Sequence, residues 1–190
     1  MEEKSKEQLA IIEEMIAQSK LKISEGSIFY LLWGWLVVIA ASINYGLLMY
    51  TDFVHHYLAW PILMTLGGIV SAIIGQKHEN KSGVKTYVDR AITYLWSGFT
   101  ISLIAILISM VKFGVEVVYP TVILLYGLGT FVSGGILKFK PLIFGAIWCW
   151  ILGSIAVYLS FPNQLLVLIA AILGSYIVPG YLLANSKQNV

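Results

Sequence analysis

Six long apolar runs constrain this chain more than any other feature of its sequence. Each run has about the 20 residues that a helix needs to cross a bilayer, and none carries Asp, Glu, Lys or Arg in its central part. A chain of 190 residues that is 58% hydrophobic cannot bury that much apolar surface in a single water-facing core. The sequence therefore predicts an all-α integral membrane protein with six transmembrane helices, at 27–49, 56–75, 91–111, 116–137, 141–160 and 164–184.

The basic residues fall almost entirely on one side of these spans. Eleven of the twelve lysines and arginines lie in the N-terminal segment, in the loops 76–90 and 138–140, and in the C-terminal tail, and only Lys112 lies on the other side. Because loops rich in Lys and Arg remain in the cytoplasm, we expect a multi-pass protein of the cell membrane with both termini cytoplasmic. Its parts are a cytoplasmic helix (1–26), a membrane domain (27–184) and a tail (185–190).

The spans resemble one another in alternation, which indicates an internal repeat. The odd spans share an apolar-Trp pair, the even spans share a Leu-Gly pair, and each even span has an aromatic-proline pair in or near its first turn. The tryptophans are Trp33, Trp96 and Trp148; the glycines are Gly67, Gly129 and Gly174; the aromatic-proline pairs are Trp60-Pro61, Tyr119-Pro120 and Phe161-Pro162. This pattern predicts three tandem hairpins in a pseudo-threefold bundle. The alternative is that apolar helices look alike because they draw on few types of residue.

Pro179 lies inside the last predicted span and predicts a kink or an early end there.

The three tryptophans and the small residues of the even spans each allow a functional and a structural interpretation. Trp33, Trp96 and Trp148 could line a ligand pocket for a flat or cationic molecule on the repeat axis, or they could form an interfacial aromatic belt. The small residues recur at four-residue spacing, which allows close helix packing or a pore lined by backbone; they include Gly67, Ser71, Gly75, Gly129, Ser133, Ala170 and Gly174.

The sequence lacks the side chains that several membrane functions require. Ion-coupled transporters and voltage sensors place ionisable groups within the membrane, whereas the most polar side chain deep in a span here is Asn44, which we expect to hydrogen-bond a neighbouring helix. The serines of the spans have no His or acid at their depth to act as a base. No phosphate loop and no Cys/His metal pattern is present, and a net charge of +2 is too small to indicate nucleic acid. We therefore expect no enzyme, no cofactor and no metal site.

The N-terminal segment predicts an amphipathic helix with an apolar seam, which we define as Leu9, Ile12, Ile16 and Ile23. These residues follow a heptad-like spacing, with Ser19 completing the pattern. Residues 1–26 carry six glutamates against four lysines, so the helix is poorly suited to an anionic lipid surface. It is better suited to pair with a second copy of this chain or with a cytoplasmic helix of another protein. The alternative is a solvated extension that packs on the inner end of the bundle.

These patterns favour a non-catalytic membrane scaffold or regulatory protein that binds a partner through its N-terminal helix. The lipid bilayer surrounds its membrane domain. The alternative is a small transporter or channel for an uncharged or weakly polar solute, which the repeat and the small-residue faces favour. A cavity between the hairpins would favour transport, and a filled axis would favour the scaffold.

Overall fold

The protein is almost entirely helical, with no strand, in the part of the chain that the structure, a computed structural model, describes. That part is residues 2–79 and 87–185, with side chains described from Gly26 to Lys77 and from Tyr87 to Asn185. Its helices are α1 (Glu2–Tyr50), α2 (Ala59–Glu79), α3 (Tyr87–Phe113), α4 (Val115–Ile136), α5 (Lys140–Ala156), α6 (Phe161–Ile172) and α7 (Val178–Asn185). A 3₁₀ turn (His56–Leu58) precedes α2, and a π-helical turn (Leu173–Ile177), here called the π-turn, joins α6 to α7.

The prediction of an all-α fold with several helices long and apolar enough to cross a bilayer is confirmed. Five helical segments are long and apolar enough to cross a bilayer: Gly26–Tyr50, His56–Lys77, Tyr87–Phe113, Val115–Ile136 and Phe161–Asn185. The fifth predicted span is shorter than expected, because α5 has 17 residues and ends at Ala156 rather than near residue 160. Two 3₁₀-type bonds, Tyr158 N–H to Ile155 and Leu159 N–H to Ala156, tighten its end into a turn.

The helix α1 is continuous across the boundary predicted at residue 26. It has 49 residues, which at 1.5 Å per residue is about 73 Å, and roughly half of that length lies before the apolar part. The segment that carries the seam is therefore continuous with the first span, although the side chains of Leu9, Ile12, Ile16 and Ile23 lie outside those that the structure describes.

The sequence predicts a kink or an early end of the last span at Pro179, and the early end is wrong. The helix continues to Asn185, and the departure from regular α-helix is the π-turn that immediately precedes Val178. A proline has no N–H to bond the carbonyl one turn earlier, and here that carbonyl belongs to Ser175, in the π-turn. The wider turn accommodates the missing bond without breaking the helix.

Four segments form the centre of the bundle, and two helices flank it. In the apolar windows of α2 and α3 only 6% of the residues are buried, against 39–50% in α1, α4 and the α6–α7 segment. Within residues 2–79 and 87–185, α2 packs closely only on α1 and the 3₁₀ turn, and α3 only on α4. Large apolar side chains fill the centre, among them Val37, Ile123, Leu142, Leu165, Leu168 and Ile172.

Glycines bring α1 and α5 close to the π-turn. A Cβ atom built on Gly145 of α5 would lie 2.7 Å from the Cα atom of Ser175. One built on Gly34 of α1 would lie 3.1 Å from the Cβ atom of Tyr176. The backbone of the π-turn thus approaches α5 at a distance that only glycine allows, and side-chain atoms of the π-turn pack closely on α1 at Gly34.

Candidate functional site

Five aromatic rings from four different segments meet next to the π-turn. We call them the aromatic cluster; its members are Tyr30 of α1, Trp96 and Phe99 of α3, Tyr126 of α4 and Tyr176 of the π-turn. Tyr176 is central, since its ring centroid lies 5.6 Å from that of Tyr30, 5.3 Å from that of Tyr126 and 6.1 Å from that of Trp96. Most of these pairs are tilted or edge-to-face, the arrangements that aromatic quadrupoles favour.

Hydroxyl groups buried in and around this cluster have no hydrogen-bond partner in the protein. They belong to Tyr30, Tyr176, Ser133 and Ser175, and each residue is at least nine-tenths buried. Thr130 differs, because its hydroxyl donates to the Tyr126 carbonyl at 2.7 Å. A buried hydroxyl without a partner costs about 1–3 kcal/mol, so each of these hydroxyls is expected to hydrogen-bond a neighbouring group.

The buried hydroxyls form two groups, which differ in the side chains that lie beside them. The Ser133 hydroxyl and the Trp96 side chain lie beside the Tyr30 hydroxyl, and the Thr130 side chain lies beside that of Tyr176. Each of these neighbours carries an O–H or N–H group that can complete a hydrogen bond with the tyrosine hydroxyl beside it. Ser175 instead faces the thiol of Cys149 on α5. The first group thus lies beside Trp96 of α3, and Ser175 lies beside α5.

The π-turn positions both Ser175 and Tyr176. A π-helical turn inserts an extra residue into an α-helix, and such turns occur frequently at functional sites. Here it directs two successive polar side chains into the bundle interior, where both are buried. None of the side chains in the aromatic cluster or among the unpaired hydroxyls carries a formal charge. The site therefore suits an uncharged hydrogen-bonding group, because a desolvated ion would have no counter-charge.

A second polar group lies at the opposite end of the bundle and ties helices together. His56 Nδ1 and Asn44 Oδ1 are 2.7 Å apart, and Asn44 Nδ2 donates to the Tyr119 hydroxyl at 3.5 Å. Asn44 is 1% exposed, so the expectation that it hydrogen-bonds a neighbouring helix is confirmed. The ring of Tyr119 also contacts those of Trp60 at 6.0 Å and Phe161 at 5.3 Å. The three residues of the aromatic-proline pairs therefore converge at this end.

Gln164 is fully buried near the same end and joins three segments. Its Nε2 donates to the carbonyl of Glu116 at 2.8 Å, to that of Leu159 at 3.0 Å and to that of Ala156 at 3.2 Å. These carbonyls belong to the start of α4 and to the end of α5, where the backbone leaves the helix. Gln164 thus supplies the donor that Pro120 cannot give to the Glu116 carbonyl, and the donors that the shortened α5 no longer provides.

Replacing Gln164 with Met is expected to lower the free energy of unfolding by about 1–3 kcal/mol, because carbonyls at two helix ends lose their donor in a buried place. Thermal unfolding in a fixed detergent measures the change. Asn163→Met is the matched control, since Asn163 is exposed and its amide bonds only the Ser160 hydroxyl, at 3.2 Å. Equal shifts in the two variants would show that the buried bonds of Gln164 contribute nothing specific.

The three predicted tryptophans do not lie together around one point in the structure. Within the described side chains, no ring contact joins Trp33, Trp96 and Trp148 to one another, and Trp96 alone belongs to the aromatic cluster. Trp148 is 45% exposed, and its Nε1 donates to the Ala170 carbonyl at 3.0 Å. Whether any of them binds a ligand stays a prediction.

Each tryptophan nevertheless makes the same kind of contact. It packs against the glycine of the Leu-Gly pair in the next span, as Trp33 on Gly67, Trp96 on Gly129 and Trp148 on Gly174. A Cβ atom built on these glycines would lie 3.5, 3.5 and 2.6 Å, respectively, from an indole atom. The packing interpretation of the small residues is confirmed at these positions. It does not extend to Gly75, where nothing lies within 4 Å of a built Cβ atom.

The sequence interpretation missed the aromatic cluster as a site. Tyr30 and Tyr176 were not among the predicted residues, because a tyrosine in an apolar run has no sequence mark that distinguishes it from membrane-facing aromatic residues. The available signal was the short polar run Gly174-Ser175-Tyr176 followed by Pro179, which identifies a weakened helix but not the register of a π-turn.

Searches of protein-family models, of curated proteins and of solved structures find no match to this chain.

Proposed function

We propose that the chain is a six-span membrane protein built from three hairpins, α1–α2, α3–α4 and α5 with the α6–α7 segment, in a pseudo-threefold arrangement. The repeated contact of tryptophan with glycine supports equivalent hairpins. The convergence of Trp60, Tyr119 and Phe161 supports a common axis at one end of the bundle. The arrangement is open on one side, because the first two hairpins touch through side chains only.

In the proposed orientation both termini and the loops 76–90 and 138–140 are cytoplasmic. A cysteine introduced at Asp52 or at Asn163 is then expected to react with an impermeant thiol reagent in intact cells, and one introduced at Ser82 is expected to react only after lysis. Cys149 is fully buried, so the parent chain serves as the unreactive background. The opposite labelling pattern would reverse the topology.

The function that the architecture favours is that of a non-catalytic membrane scaffold or regulatory protein, which binds a cytoplasmic helix or a second copy of itself through the seam of α1. The observation that carries this proposal is the continuity of α1 from Glu2 to Tyr50. Because a helix without a break transmits displacement along its length, a partner on the seam is mechanically connected to Tyr30 and Asn44. The test is disruption of the seam by Ile12→Asp/Ile16→Asp with co-purification as the readout.

The second candidate is a small transporter or channel for an uncharged solute. The unpaired hydroxyls of Tyr30, Tyr176 and Ser133 favour it, since a neutral solute needs donors and acceptors within the membrane. The filled centre of the bundle and the aromatic contacts at the end with Tyr119 oppose it. Swelling of proteoliposomes in glycerol or urea is the measurement that would favour transport over the scaffold.

A further inference from the structure

The three hairpins make two contacts of the same kind with one another, and a third contact of that kind is missing. In both contacts the second helix of one hairpin packs on the first helix of another: α4 packs on α5, and the α6–α7 segment with its π-turn packs on α1. The equivalent contact would join α2 to α3. Within the described residues these two helices do not pack on each other, so each keeps a face without a neighbouring helix.

The contact between α4 and α5 shows which positions of a second helix are used. Gly127 and Phe131 of α4 lie against Trp150 of α5. Gly134, one turn further along α4, lies against Ile143 of the same helix. Counted from the glycine of the Leu-Gly pair, these three positions are two residues before, two after and five after.

The α6–α7 segment uses the same positions once the extra residue of the π-turn is taken into account. Ile172 and Ile177 lie against Gly34 of α1, and Gly180 lies against the same helix. Ile172 is two residues before Gly174, whereas Ile177 and Gly180 are three and six residues after it. A π-helical turn inserts one residue, which accounts for the difference, so both contacts follow one pattern.

On α2 this pattern selects a free face, which we define as Thr65, Ile69 and Ala72. All three residues are exposed, and Ile69 is 53% exposed. The face lies across the helix from Gly67, which is buried against Trp33 of α1. In α4 the corresponding face packs on the next hairpin, whereas in α2 it has no neighbour from this chain.

On α3 the pattern selects a second free face, which we define as Tyr94 and Gly98. These residues are two before and two after Trp96, at the positions that Ala146 and Trp150 occupy in α5, where both lie next to α4. Tyr94 is 79% exposed, and a Cβ atom built on Gly98 would have no neighbour within 4 Å.

A groove beside the α3 face has room for a side chain of another helix. It lies between α3 and α4, is open to the outside, has a volume of about 260 Å³ and includes Gly98 and Gly129 among its lining residues. In the contact with α1, Gly34 receives the side chain of Ile177, whose Cγ1 atom would lie 3.0 Å from a Cβ atom built on that glycine. The residue of α2 at the position of Ile177 is Ile69. A helix that presents the α2 face therefore carries a side chain of the kind that such a groove receives.

The two faces do not meet within one chain, because aromatic rings lie between the first two hairpins. The ring of Trp60 contacts that of Tyr119 at 6.0 Å, and the ring of Tyr30 contacts that of Trp96 at 6.1 Å. A second copy related by a twofold axis along the membrane normal can place α2 of each copy on α3 of the other. This arrangement is isologous and closed, so it occupies all four free faces at once.

We propose that the protein forms a twofold dimer in the membrane, in which the α2 face of each copy packs on the α3 face of the other and Ile69 enters the groove beside Gly98. Thr65, Ala72 and Gly98 are small, which lets the two helix backbones approach closely. The proposal rests on the proposed arrangement of three hairpins and is independent of the seam of α1.

The experiment is disulfide cross-linking of the full chain in liposomes, on a Cys149→Ser background. Copies with Thr65→Cys and one affinity tag are mixed with copies with Gly98→Cys and a second tag, because these positions correspond to the contact of Gly127 with Trp150. Oxidation is expected to give a product of dimer size that carries both tags. Val70→Cys mixed with Thr93→Cys is the control, since both residues are exposed but lie on other faces, five residues along each helix at a matched depth.

The test pair is expected to give at least about tenfold more product than the control pair, because cysteines held side by side react at a raised effective concentration. Equal yields from the two pairs would overturn the proposal. So would a disulfide that forms only within single chains when Thr65→Cys and Gly98→Cys are combined, since α2 and α3 would then close on each other. The same cross-link is expected with Ile12→Asp/Ile16→Asp added, and its loss there would assign the dimer to the seam.

A second measurement does not depend on cysteines in the contact. Gly98→Trp fills the place that Ile69 of the second copy would take, and it is expected to lower energy transfer between fluorescently labelled copies in liposomes to the level of unassociated protein. Ile104→Trp, at a residue that is 52% exposed on another face of α3, is expected to leave the transfer unchanged. Unchanged transfer in Gly98→Trp would overturn the dimer. Thiol labelling at Asp52, Asn163 and Ser82 reports separately whether the six-span arrangement itself holds.

Discussion

The double substitution Ile12→Asp/Ile16→Asp is expected to abolish association of the protein with its partner and to leave the membrane bundle folded. Both residues belong to the predicted seam and precede the apolar segment that begins at Gly26. Two carboxylates placed on an apolar helix interface lose their hydration without gaining a counter-charge. Since the described contacts that hold the bundle together lie further along the chain, its unfolding temperature is expected to stay unchanged.

The size of the expected effect follows from the seam itself. Burying one Leu or Ile side chain contributes roughly 1.5–3 kcal/mol, so four seam residues give a gross gain of several kcal/mol. Bringing two molecules together offsets much of this gain. Because the net is small, the loss of two of the four apolar side chains exceeds it, and the association should disappear rather than weaken.

The matched control carries the same added charge on another face of the same helix. Ala10 and Ala17 are seven residues apart and fall outside the spacing of the seam, so Ala10→Asp/Ala17→Asp is expected to associate like the parent chain. Light scattering after size exclusion measures self-association, and co-purification measures a separate partner. If neither differs between the seam variant and the parent chain, the N-terminal part of α1 is a solvated extension and the scaffold proposal fails.

The sequence predicts the helical segments well because every apolar residue in a run adds to the evidence for a span. About 20 apolar residues in succession specify a span whatever their packing partners are, so the ends of the first four predicted spans lie within a few residues of the observed apolar helical segments. The early end of α5 was not predictable in the same way. It depends on Gln164, which bonds the carbonyls of Ala156 and Leu159 from the following helix, and such a tertiary contact leaves no local pattern.

The candidate site was less accessible to sequence analysis for a related reason. Hydrophobic periodicity identifies which face of a helix is apolar, but in a membrane both the lipid side and the core side are apolar. The sequence could therefore select Trp96 but could not distinguish it from Trp148, which is exposed. The burial of Tyr30 and Tyr176 follows from how α1 packs on the π-turn, and that packing depends on glycines at the contact.

Replacing Gly145 with Ala is expected to destabilise the bundle by about 1–3 kcal/mol, the usual cost of inserting a methyl group into a filled core. The added Cβ atom would lie 2.7 Å from the Cα atom of Ser175 and 3.2 Å from the carbonyl oxygen of Gly174. Both neighbours are backbone atoms of the π-turn, so no side-chain rotation can relieve the clash. Either α5 or the π-turn has to move, and the π-turn carries Tyr176 into the aromatic cluster.

The control for Gly145→Ala is the same change where the helix surface is open. A Cβ atom on Gly68 of α2 or on Gly98 of α3 would have no neighbour within 4 Å. There Ala is expected to be neutral or to raise stability by up to about 1 kcal/mol, because Ala favours the helix over Gly. Thermal unfolding of the three variants in one detergent measures the difference. Three equal shifts would mean that glycine acts here through helix propensity alone; a loss confined to Gly145→Ala would establish that the close approach of α5 sets the position of the π-turn and with it the geometry of the buried hydroxyls.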